Sequence, residues 1–217
     1  MIWPPPSPPP VPPFHTPWQP DPRQPPAPMH VTSVPAPSSD WLAERLFDQR
    51  IVTLTGRLES EATNRAAVSL ALLDASGDGA VQVWLRSVDA DVDAAAALLD
   101  TLDLMSVPLH VHCQGVVASV AVALLSPAEK RTAAPHATFH LREPRTTCAG
   151  PASDIATATE HHSRQLRRLQ GRIADSCGRP VDTVIDDMRA HRILSADEAR
   201  DYGLIDTVTG TRAAEEK

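Results

Sequence analysis

From about residue 40 onward, apolar positions alternate between two spacings. Leu42, Leu46 and Phe47 recur at helical spacing, which predicts a helix from Asp40 with that residue as N-cap. Residues 50–56 are β-branched and end at a glycine, the pattern of a strand. A helix is predicted over 60–73, with Ala66, Ala67, Leu70, Leu72 and Leu73 as its apolar face. Next come a strand over 80–85, an alanine-rich helix over 93–104 and a strand over 109–113. A turn is expected at Gly115 and a helix from Ser119 to Leu125. A strand over 137–141 follows, then a long polar helix over 153–176 capped by Ser153 or Asp154, with Gly178 beyond its end. A short helix over 181–188 precedes Ser195 and Glu198, which stand at capping-box spacing and open the last helix. Residues 204–208 read as a final strand. Strands alternating with helices predict an α/β fold with a largely parallel sheet.

Before residue 39 this periodicity is absent. Most of the 22 prolines lie there, in runs such as Pro4-Pro5-Pro6 and Pro8-Pro9-Pro10. Proline fixes φ and lacks an amide donor, so residues 1–38 are expected to form an extended, disordered tail. The globular domain is expected over 39–210 and a frayed polar tail over 211–217. No basic segment followed by an apolar one reads as a secretory signal, and no apolar run is long enough to span a membrane.

Twenty basic against 27 acidic residues give a net charge of −7, which argues against nucleic acid or an anionic membrane as the main partner. Aromatic residues make up 4% of the chain, so the core must be aliphatic. Cys113, Cys148 and Cys177 are widely spaced and odd in number, which suits reduced cytoplasmic thiols. Their spacing suggests no zinc site, and no metal or cofactor is expected.

Ser119 carries the candidate chemistry. A serine at a strand-to-helix turn has its hydroxyl beside free backbone N–H groups, a setting that suits a nucleophile. It equally suits a small residue packed where a helix meets a sheet.

Several stretches together resemble the proteolytic subunit of the Clp protease, a self-compartmentalising serine peptidase. They are 50–56 (RIVTLTG), Cys113-Gln114-Gly115 through Ala118-Ser119, Ser153-Asp154-Ile155, and 194–199 (LSADEA) followed by 202–206 (YGLID). They fall in family order between Asp40 and Val208. The resemblance implies the ClpP/crotonase fold, built of ββα units with a mostly parallel sheet and flanking helices. It also implies seven-membered rings that stack through the long helix, homo- or hetero-oligomers with ClpP-like subunits, and a Clp-type ATPase as partner.

The family's nucleophile falls on Ser119. Its histidine falls on Arg142 and its aspartate on His191. The glycine-rich turn that forms its oxyanion hole corresponds to residues 87–92, which hold no glycine. A guanidinium has no lone pair to take a proton from serine at neutral pH. Asp89 and Asp91 would repel an oxyanion if they faced it. His140, two residues before Arg142 on the same strand, is a possible substitute base. His110 and His112 read as strand-surface or packing histidines. The leading reading is a Clp-type subunit without its own activity, structural or regulatory in a ring. The alternative is a serine hydrolase using Ser119 with His140. A crotonase-like acyl-CoA enzyme ranks third, because no glycine-rich oxyanion segment is present.

Overall fold

The computed structural model describes residues 39–147 and 149–210. The proline-rich segment 1–38, Cys148 and the tail 211–217 lie outside the described residues. The elements are α1 (Ser39–Asp48), β1 (Ile51–Leu58), α2 (Ser60–Ala75), β2 (Val81–Ala90), α3 (Val92–Asp103) and β3 (Leu109–Ala118). A 3₁₀ helix (Ser119–Leu125) follows, then β4 (Lys130–Ala133), β5 (Thr138–His140), α4 (Ala152–Cys177) and α5 (Val181–Arg189). The chain continues with β6 (Ile193–Ser195), α6 (Ala196–Tyr202) and β7 (Thr207–Val208).

The sheet runs β1-β2-β3-β4-β7, all parallel, and it forks at β3. The first half of β3, His110 to Cys113, pairs with β4. Its last residues, Val116 to Ala118, pair instead with β5, which is antiparallel to β6. This is the expected α/β architecture with a mostly parallel sheet. The core is aliphatic, with Phe139 among its fully buried side chains beside Leu70, Leu98, Leu124, Ile173 and Met188.

The predicted turn at Gly115 is instead a kink inside β3. The strand passes through that glycine at φ +68° and continues to Ala118. Ser87 in β2 has φ 49° and Gly56 in β1 has φ 70°. The pairing register shifts at the same level, between Thr55 and Gly56 and between Arg86 and Val88. The three strands therefore share one crease. A bulge of this kind reverses which residues face the core: Val81, Val83 and Leu85 are buried before it, and Val88 and Ala90 after it.

Other boundaries differ for local reasons. Asp40 lies inside α1, which begins at Ser39. The long helix begins at Ala152 after Pro151, so neither Ser153 nor Asp154 is its cap. The segment from Ser119 winds as a 3₁₀ helix whose seven residues are all buried, so packing outweighs propensity there. The last strand is only Thr207–Val208, the two residues that pair with β4; Leu204 and Ile205 are buried in the approach to it. The short strands β4 and β6 carried no apolar run to mark them. The capping box is as predicted: Ser195 Oγ accepts from the Glu198 amide, and the Glu198 carboxylate accepts from the Ser195 amide. Within α4, Leu169 and Ile173 are buried in the protomer and Leu166 packs against its core. The sequence offers Ile155, Leu166, Leu169 and Ile173 of this helix for assembly; of these four only Ile155 is exposed.

Candidate functional site

Ser119 follows β3 directly, at the point where that strand pairs with β5. Its φ is 58°, in the left-handed region that non-glycine residues seldom occupy. Backbone strain held at a strand-to-helix turn is how nucleophile elbows present a hydroxyl. This hydroxyl is fully buried, and Ser119 Oγ has no hydrogen-bond partner among the described residues.

The neighbouring strands bring up the other candidates. His140 pairs in register with Ala118, so its strand position adjoins the residue before the serine. It also pairs with Ile193 across β6. The His140 and His191 rings lie 6.2 Å apart, centre to centre. His191 occupies a tight turn at φ 54° after α5. Burial holds the His140 imidazole below its usual range, and the Arg142 charge and His191 act in the same direction against Asp89. The ring is thus kept neutral at pH 7, as a base must be, but it makes no hydrogen bond to Ser119 Oγ.

Arg142 is committed elsewhere. Its guanidinium donates to the Asp89 carboxylate at 2.5 Å, with both side chains about three-quarters buried. Asp89 also accepts from the Ala90 amide at 2.9 Å. Asp91 is paired with the Arg57 guanidinium. The glycine-free segment 87–92 is not a free turn here. It runs as strand to Ala90, caps α3 at Asp91 and enters α3 at Val92. Both aspartates are thus neutralised by arginines, and the Ala90 amide is taken by a carboxylate.

The structure brings His140 to His191 and Arg142 to Asp89, and bonds none of them to Ser119. The pairing of Arg142 with Asp89 was not read from the sequence, although both residues were singled out. They stand 53 positions apart, and only the register of β2, β3 and β5 brings them together. The Cys113 thiol is buried and Cys177 half-buried; burial raises the pKa of both, and neither forms a disulfide. Among the described residues no group of three or more His, Cys, Asp or Glu could hold a metal ion, and no helix is long and apolar enough to cross a membrane.

A strained serine at the end of a central parallel strand, with a histidine on the adjoining strand, sits on an α/β scaffold of the kind that serine hydrolases use. The chain belongs to the Clp protease family, whose model matches residues 37–212. It is 33% identical over 177 residues to the ATP-dependent Clp protease proteolytic subunit 3 of Rhodococcus jostii (strain RHA1), covering 80% of this chain and 88% of that protein. It is 30% identical over 180 residues to proteolytic subunit 2 of the same organism, covering 82% and 92% respectively.

Proposed function

We propose that this chain is a non-catalytic subunit of a Clp-type peptidase, structural or regulatory within a ring of ClpP-like subunits. The observation that carries this reading is the ion pair of Arg142 with Asp89. At the position where the family has its general base, the chain has a cation bound to a carboxylate. A triad needs a group that takes the serine proton and returns it to the leaving amine. Arg142 has no lone pair for that task, and His191 carries no fixed negative charge to orient an imidazole. Loss of the base alone costs about 10⁶ in kcat in the subtilisin series. The occupied Ala90 amide removes a donor from the segment that corresponds to the family's oxyanion hole.

Assembly rests on family membership and on α4, a 26-residue helix of which only Leu169, Gln170, Ile173 and Ala174 are buried. The relatives named above are subunits of an ATP-dependent protease, which supports a Clp-type ATPase as a partner of the assembled ring in the cytoplasm.

The test is a fluorophosphonate probe applied to the full chain, with the labelled residue mapped, alongside hydrolysis of a small peptide ester. No labelling at Ser119 and a rate equal to that of Ser119→Ala are expected. Labelling of Ser119, with a rate abolished by His140→Ala, would establish the Ser119–His140 hydrolase instead.

A further inference from the structure

Far from Ser119, His110 and His112 stand two residues apart on β3. Alternate residues of a strand share a face and lie about 7 Å apart. The buried partners Leu109, Val111 and Cys113 point to the core, so both histidines look out from the opposite face. They line one cavity of about 410 Å³ over the sheet, together with Trp84, Gln82, Gln114, Lys130 and Thr132.

Thr132 engages one ring nitrogen of His112: its Oγ1 lies 2.8 Å from His112 Nδ1 and, at a longer 3.3 Å, beside the Val111 carbonyl. In the tautomer in which Nδ1–H donates to that hydroxyl, Nε2 keeps its lone pair. A metal-ligating histidine is oriented in this way, with its second nitrogen donating to an oxygen and its ligating nitrogen free. The Trp84 ring meets that of His112 edge-on, with centroids 6.3 Å apart.

The geometry points to a divalent transition-metal site chelated by His110 and His112. Imidazole pairs suit zinc, nickel and copper, and copper(II) is expected to bind most tightly. Two nitrogen ligands at about 2.0–2.1 Å from one ion are within reach of side chains one pleat apart. The remaining positions fall to water, because among the described residues no carboxylate lines the cavity. Lys130 opposes His110 across the β3–β4 pair, and its charge works against a bound cation.

The experiment is titration of the full chain with copper(II) chloride and with zinc chloride, followed by calorimetry and tryptophan fluorescence. One ion per chain is expected, with copper(II) quenching an emission component that Trp84→Phe removes. His110→Ala and His112→Asn are each expected to weaken binding at least about tenfold; the asparagine keeps a donor for Thr132. Thr132→Val should weaken binding about tenfold without removing a ligand, and Lys130→Glu should tighten it. Circular dichroism verifies the fold of each variant. Absence of binding to the wild-type chain, or binding unchanged in both histidine variants, would overturn the proposal. Such unchanged binding would place any ion elsewhere, for example at the His140–His191 pair.

Discussion

At the level of single residues, Ser119 combines two unfavourable features. Its backbone lies in the left-handed region and its buried hydroxyl is unpaired. An unpaired buried hydroxyl costs about 1–3 kcal/mol. Ser119→Ala is therefore expected to raise the melting temperature, by about 2–4 °C for each kcal/mol recovered, in a thermal scan. The serine itself was legible as a candidate from the apolar pattern around it. The commitments of its neighbours were not, because periodicity carries no information on which arginine meets which aspartate. His140 and His112 both hold pKa values below 6.5 in the folded chain, each mainly through burial. Groups that titrate lower when folded contribute stability above their unfolded pKa and lose it as pH falls through that range. The melting temperature is expected to fall between about pH 7 and about pH 5. In an NMR titration of the imidazole protons, Arg142→Ala should move the His140 midpoint upward. It removes a repelling cation and frees Asp89, while burial keeps the midpoint below that of a free histidine.

Among the elements, legibility followed length and cap chemistry. The helices α2 and α3 were visible because their apolar residues repeat over several turns, the polar α4 through Gly178 beyond its end, and β1 through its β-branched run closed by a glycine. The capping box at Ser195 was visible because two side chains define it. Its removal by Ser195→Ala should destabilise the chain by about 1 kcal/mol in denaturant unfolding. The strands β4 and β6 are too short and polar to show a period. The crease across β1, β2 and β3 was misread at Gly115 because a glycine after an apolar run signals a turn as readily as a bulge. A Cβ placed at Gly115 would lie 2.3 Å from Ser87 Oγ, on a backbone already at φ +68°. Gly115→Ala is expected to cost roughly 1–2 kcal/mol from backbone strain alone, and more from the collision. Adding Ser87→Gly should recover the collision part, read as a partial return of the unfolding midpoint.

For the molecule as a whole, the fold class was legible because strands and helices alternate, and the family because its short motifs occur in order. Assembly depends on surfaces that a single protomer leaves uncovered, and apolar periodicity does not separate these from core. Three of the four α4 residues expected to serve assembly serve the protomer instead. Light scattering is expected to show an oligomer at micromolar concentration, alone or after addition of a ClpP-like partner. Removal of residues 1–38 should leave the melting temperature unchanged, because so proline-rich a sequence is expected to add little to the buried core. The fork in β3 has a dynamic consequence. Beyond the crease, the β3 end is held by β2 and by the three-residue strand β5, whose other edge is paired only with the equally short β6. Before it, the strand is held along its length by β2 and β4. A ladder divided in this way opens in two cooperative units rather than one. Amide hydrogens of Phe139, His140 and Leu194 should exchange together, and sooner than those of Val111 and Cys113. Each such opening unroofs Ser119 while the rest of the sheet stays closed, so access to the serine is set by a local equilibrium and not by global unfolding.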